Sequence, residues 1–362
     1  MRFIFKTDYD QDIRLFKHKG AMFWYGLLAL LVLAAPWLLN PDTRDYYLSQ
    51  LGFICIYGII GLGLMLLTGF TGQVSLGHAA FLAVGGYTEA ILQAHGWPFA
   101  ISLVAAFFLS GIAGIIIGLP ALRVKGIYLA IATQAFGFIV EEITARWESM
   151  TGGNSGLHLK PIDFFGIVID TETSFYFLSL GILVVVLFGS LNLMRSPTGL
   201  AMVAIRDSEI SAQSMGIHLA KYKTIAFAIS AAITGLAGAL FAHKLQFISP
   251  ENFNVLVSIQ LLIIIFIGGI GSFHGAIYGA IFVIALPEAI SAAKDWLPSA
   301  VAGQPGLEPT VFGLILILFI LFEPMGIYGR WLKIRTYFTL FPFYRRSMFK
   351  RQKSYMKSER LR

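Results

Sequence analysis

The chain has 362 residues, of which 57% are hydrophobic and 13% charged, and its mean hydropathy is +0.74. That is far too apolar for a soluble domain and points to a polytopic membrane protein. The formal net charge of +7 is concentrated toward the two ends, which is the pattern of a protein that meets a membrane surface rather than a nucleic acid.

A crossing takes about twenty apolar residues. On that measure spans are expected at residues 21–39, 46–69, 73–92, 98–119, 127–146, 175–193, 224–243, 255–271, 275–290 and 310–328. The expected fold is therefore all-α, a polytopic transmembrane helical bundle of about ten spans. The first run, Ala21 to Leu39, is longer than a signal h-region, and Pro36-Trp37 stands where cleavage would occur, so it reads as an uncleaved span. Cys55, the single cysteine, lies in an apolar run, which leaves no intrachain disulfide and no cysteine metal site. The third span, with Gly77, His78, Gly85, Gly86 and Glu89, is the weakest by hydropathy and is a re-entrant candidate. Parity favours a full crossing, because dropping it would put every later segment on the other side. Gly114 and Gly118, and then Gly271, Gly275 and Gly279, are spaced four apart, as in helices that approach backbone to backbone. Gly69-Phe-Thr-Gly72 and Gly268-Gly-Ile-Gly271 echo each other weakly.

Basic residues set the orientation. With a cytoplasmic N-terminus, 22 of the 27 Lys and Arg fall in cytoplasmic segments, and the opposite side holds only Arg44, Arg146, Lys160, Lys244 and Lys294. Both termini are thus expected in the cytoplasm. The chain divides into a cytoplasmic N-terminal segment (1–20), a membrane domain (21–328) and a basic cytoplasmic tail (329–362). An outer loop over 148–174, rich in Gly and polar residues from Thr151 to Leu157, is a connector, a lid or a partner contact.

The main polar interruption runs from Arg195 to Lys223. Ser-Pro-Thr-Gly at its start stops one helix at Arg195 and lets another begin near Gly199. If a single helix continues to Gly216, Ala201, Ala204, Ile205, Ala212 and Met215 share one arc, and Arg206, Asp207, Glu209 and Gln213 the opposite one. Val203 and Ile210 stand seven apart among those charges, two apolar knobs on a charged face. An amphipathic helix at the membrane interface and a docking element for a partner groove both fit this pattern.

The sequence lacks a phosphate-binding Gly-x-x-x-x-Gly-Lys-Ser/Thr loop, a His-Glu-x-x-His and a Gly-x-Ser-x-Gly, and its seven histidines are dispersed without ligand spacing. No enzyme activity, resident cofactor or metal is expected, and if ATP drives the protein, another chain hydrolyses it. The functional candidates are polar residues inside spans, where burial is costly unless they are paired or face water. Gln73, Ser75 and His78 cluster at the start of the third span, Thr133 and Gln134 fall near the middle of the fifth, and Gln260 lies in the eighth. Glu89, Glu141, Glu142, Glu288 and Glu323 sit near predicted ends, within reach of an interface.

Four stretches resemble the integral-membrane permeases of bacterial ABC transporters for branched-chain amino acids, the LivM kind. They are Thr68-Gly-Phe-Thr-Gly-Gln-Val-Ser-Leu-Gly-His-Ala-Ala-Phe81; Thr151-Gly-Gly with Gly156-Leu157; Gly199 with Ala204-Ile-Arg206, Glu209, Ala212, Met215-Gly-Ile217 and Lys223; and Gly268-Gly-Ile-Gly-Ser272 with Gly275 and Gly279. The resemblance implies a bacterial inner-membrane subunit that pairs with a second, homologous permease, two cytoplasmic ATPases and a soluble substrate-binding protein outside. It also implies that the third stretch carries ATPase coupling, with Val203, Arg206, Glu209, Ile210 and Gly216 as the residues concerned. Ile210 and Ser211 depart from the Glu-Ala of the general importer loop, while Ala212 and Gly216 fit it. Gln73, Ser75, His78, Thr133 and Gln134 are then candidates for the translocation pathway. The expected solute is leucine, isoleucine or valine, with urea, short amides or aromatic acids as alternatives inside the family. A proton-coupled secondary transporter is the rival from another class, disfavoured by the docking-like helix and by the lack of an expected mid-membrane carboxylate.

Overall fold

In a computed structural model the described residues are 19–121, 126–164, 167–294, 306–323 and 325–340. The expected N-terminal cytoplasmic segment up to residue 18, Arg123 and Lys125, and the tail beyond Leu340 lie outside them. Helices α1 (Lys19–Leu38), α2 (Arg44–Leu64), α3 (His78–Ala94), α4 (Phe99–Ala121) and α5 (Ile127–Arg146) come first. After a loop come α6 (Glu172–Arg195), the short α7 (Pro197–Asp207) and α8 (Glu209–Ser214), and the long α9 (Leu219–Leu245). The chain closes with α10 (Val255–Gly268), α11 (Phe273–Lys294), α12 (Leu307–Phe322) and α13 (Gly326–Leu340). A helix therefore occupies each apolar run of the sequence. Among the described residues seven helices are long and apolar enough to cross a membrane, or up to eight if the bent pair α12 and α13 is one span.

The centre of the bundle is α2, α3 and α9, with α4 against α3 and α9, α6 against α2, and the α10–α11 pair against α2. From His78 to Ala90 every residue of α3 except Val84 is buried. The helix can carry small and polar residues there because they meet protein and not lipid. Backbones come together at glycines. A Cβ on Gly85 of α3 would stand 2.0 Å from the carbonyl oxygen of Gly235 in α9, and one on Gly279 of α11 would stand 1.8 Å from that of Ile264 in α10. At the end of α2 a π-helical stretch, Met65–Phe70, widens the helix and brings Gly69 against Gly271 in the turn between α10 and α11.

The loop between α5 and α6 carries short strands. β1 (Leu157–His158) pairs antiparallel with β4 (Phe247–Ile248), which follows α9. β2 (Ile162–Phe164) pairs antiparallel with β3 (Ile167–Ile169). Because β1 and β4 are joined, the α5 C-terminus, the α6 N-terminus and the α9 C-terminus lie at one end of the bundle, and α7 and α8 lie at the other.

Candidate functional site

The polar stretch 195–223 is two helices, not one. Ser196 caps α7, accepting from the Gly199 N–H at 3.4 Å, and Pro197 opens it, where a missing N–H costs nothing. At Ser208 the backbone is extended, and its hydroxyl accepts from the Ser211 N–H at 3.2 Å to start α8. A hydroxyl that caps the next helix ends the previous one. The break corrects the single helix expected over Gly199–Gly216. Val203 and Ile210 do not share a line: Val203 is partly buried in α7, while Ile210 is 82% exposed in α8. Met215, expected on the packing arc, is 85% exposed, and Leu200 is exposed as well. Ala201, Ile205 and Ala212 are buried, as the small-residue arc requires.

Two charges of this element, Arg206 and Glu209, reach back to the bundle, while Asp207 stays exposed. Arg206 Nη1 donates to the carbonyl of Gly69 at 3.2 Å, while its Nη2 and Nε hold Asp207. Glu209 pairs with Lys223 of α9 at 2.6 Å, the lysine being buried. Arg206 and Glu209 therefore anchor α7 and α8 to the membrane domain. Gly216 ends the element at φ +83, the left-handed turn that leads into α9.

Four of the five pathway candidates come together where α3 begins. Gly77, the N-cap of α3, has no side chain to satisfy the first N–H groups of the helix. A hydroxyl from another helix satisfies one of them, Ser258 of α10 accepting from Ala79 N–H at 3.0 Å, and Thr133 of α5 accepts from the N–H of Leu76, just before the cap, at 3.0 Å. The two ring nitrogens of His78 are each 2.9 Å from a hydroxyl, Ser75 on one side and Ser230 of α9 on the other. Gln73 is buried and donates to Thr71 at 3.2 Å. Ser75, His78 and Thr133 thus belong to one buried junction of α3, α5, α9 and α10, while Gln73 is bonded to the end of α2 beside it. Gln134 is half-buried and lines a narrow cleft at the edge of that junction, shared with Leu76, Glu141, Asn254 and Ser258. The neighbouring face of α5 exposes Ile131, Phe138 and Ile139.

The carboxylates divide. Glu142 pairs with Arg146 on the surface, and Glu323 with Arg330 and Lys333. Glu288 accepts from Tyr46 and, at 2.7 Å, from Gln50, at the edge of a cavity of about 530 Å³ between α2 and α11. Glu89 corrects the expectation that it reaches an interface. It is 0% exposed, and its Oε1 lies 3.0 Å from Nε2 of His243 in α9. Its second oxygen is buried without a hydrogen-bond partner. His243 also lines a small pocket at the β-strand end with Lys160, Asp170, Glu172 and Lys244. The sequence signal for this pair was a lone acid and a lone histidine inside apolar runs, and nothing in either run names the other. Among the described residues no group of His, Cys, Asp and Glu could hold a metal ion.

Comparison with known proteins finds related transport permeases. A family model described as "Branched-chain amino acid transport system / permease component" matches residues 46–321. Over 326 residues the chain is 33% identical to the high-affinity branched-chain amino acid transport system permease protein LivM of Escherichia coli, covering 83% of this chain and 74% of the relative. It is 32% identical to that of Salmonella typhimurium over the same shares. Identity to the corresponding permease protein BraD of Pseudomonas aeruginosa is 26% over 310 residues, 76% of this chain and 92% of the relative. No solved structure matches the chain.

Proposed function

The chain belongs to the family of branched-chain amino acid transport system permease components, and from that premise we propose that it is the membrane subunit of an ATP-driven importer of leucine, isoleucine and valine in a bacterial inner membrane. It pairs with a second, homologous permease, receives solute from a soluble binding protein at the β-strand end, and is driven by two ATPase subunits at the α7–α8 end. It hydrolyses nothing itself and carries no cofactor; ATP is held by the partners. The membrane domain, residues 21–328, crosses ten times, and the segment 1–20 and the tail 329–362 are both cytoplasmic.

One observation carries this reading. The α7–α8 element is tied to the membrane domain by Arg206 and Glu209, while Leu200, Ile210 and Met215 face outward. Three apolar side chains on the outside of a fixed polar element suit a groove on a partner, and burying each contributes about 1.5–3 kcal/mol before ordering costs. Arg206 ends at Gly69, where the π-helical stretch of α2 meets the α10–α11 turn, so a push on α7 reaches the core helices directly. We place the pathway along the α5 face and the cleft at Gln134, against the second permease, with the Ser75, His78 and Thr133 junction and the adjoining Gln73 as its rigid wall. In reconstituted membranes containing the two permeases and the ATPases, loaded binding protein should drive ATP-dependent accumulation of labelled leucine. Uptake that persists without ATPase subunits and follows a proton gradient would sink this reading in favour of a secondary transporter.

A further inference from the structure

Helix α13 leaves the axis of α12 at 46° and is attached at its first turn. There Gly326 lies against Gly269, and Tyr328 stacks on His274 with ring centroids 5.8 Å apart, while His274 bonds the Tyr25 hydroxyl at 2.9 Å. This contact is made to the same α10–α11 turn that meets Gly69 and Arg206, so α13 projects from the α7–α8 end of the bundle. Residues 330–335 are all exposed.

What α13 exposes is two-sided. At about 100° per residue, Ile327, Trp331, Ile334 and Phe338 fall within an arc of about 60°. Trp331 is 51% exposed and Phe338 73%. Arg330 and Lys333 flank that stripe on one side and Arg335 on the other, and the helix holds no acidic residue. Glu323, which pairs with Arg330 and Lys333, offsets only part of that charge. The sequence continues basic: residues 341–362 add eight Lys or Arg against the single acidic Glu359.

We propose that α13 lies along the membrane surface and holds net-anionic phospholipid headgroups. The stripe of Trp331, Ile334 and Phe338 enters the acyl boundary, and the flanking cations meet phosphates. A tryptophan beside an apolar stripe and cations on both flanks fit a lipid interface on three counts. A nucleic acid would leave the stripe unused. Anchoring α13 in this way would also hold the α10–α11 turn to which it is attached.

The test uses the full chain in vesicles with a fluorophore placed on Phe338→Cys, or on Ile334→Cys as a second site, since Cys55 is buried. Spin-labelled phosphatidylglycerol and spin-labelled phosphatidylcholine are compared as quenchers at equal mole fraction. The expected result is roughly fivefold stronger quenching by phosphatidylglycerol at low salt, lost at about 0.5 M salt. The preference should also fall when Arg330, Lys333 and Arg335 are changed to Gln. A second variant, Arg335→Gln alone, leaves the Glu323 pairs intact and should reduce the preference in part. Equal quenching by the two lipids, or by neither because protein covers the helix, overturns the proposal.

Discussion

Arg206 in α7 donates to the carbonyl of Gly69, a residue 137 positions earlier at the end of α2. The bond joins the polar element at one end of the bundle to the place where α2 departs from α-helical geometry. A charge-assisted hydrogen bond of this kind contributes about 1.5–3 kcal/mol. In Arg206→Gln the ATPases should still co-purify, while leucine uptake in the reconstituted complex falls by roughly tenfold. Unchanged uptake would remove the bond from the coupling path.

Ile210 and Met215 should be the residues that a partner covers. The Ile210→Asp, Met215→Asp double variant should keep its thermal stability within about 0.5 kcal/mol, since both side chains are exposed. The ATPases should no longer co-purify with it, and stimulation of ATP hydrolysis by loaded binding protein should be lost. Val203→Asp, at a partly buried position, should instead lower stability. Normal ATPase recovery with the double variant would leave α8 a plain surface helix.

Glu89 and His243 should behave as a unit. Removing either partner leaves a buried polar group unpaired, so Glu89→Ala or His243→Ala alone should cost about 1–3 kcal/mol in the purified chain. Glu89→Leu together with His243→Leu should cost less than the sum of the two single Leu changes, measured by thermal unfolding in detergent. Additive costs would show that the two side chains do not interact.

Neighbouring positions in α5 should give different phenotypes. Thr133 holds the Leu76 N–H, so Thr133→Val should leave that donor buried and unpaired and destabilise by about 1–3 kcal/mol. Gln134 faces the cleft, so Gln134→Leu should lower uptake with little change in stability. If Gln134→Leu transports normally in a well-folded protein, the pathway does not run along that cleft.

Topology is open to labelling in the intact membrane. Cysteines introduced at Asn154 and at Lys357 should react from opposite sides, and one at Gln213 should react from the Lys357 side. Asn154 and Lys357 reacting from the same side would overturn the ten-span arrangement.

Much of this protein was legible in its sequence because the bilayer imposes one length on every crossing. The runs at 46–69, 98–119 and 127–146 are helices within a few residues of where hydropathy places them, and Ser196-Pro197 marks the start of α7. The Ser208 break was legible too: a serine followed by glutamate is an N-cap signal, but the apolar periodicity across it argued for continuity and hid it.

Partnership was decided by the tertiary structure. Hydropathy adds up a segment without regard to what each face meets, so it reads α3 as weakly apolar, although α3 is the most enclosed helix of the expected spans and owes its fit to glycine contacts with α9. The same loss of direction put Glu89 at an interface and Glu209 on an outward face. Glu89 finds His243 across 154 residues, Arg206 finds Gly69 across 137, and Glu209 finds Lys223 on the next helix but only after the chain turns at Ser208. Burial of a charge in this bundle depends on what the opposing helix offers at that depth. That is a property of how helices pack, set by the close approach of their small residues, and no single segment carries it.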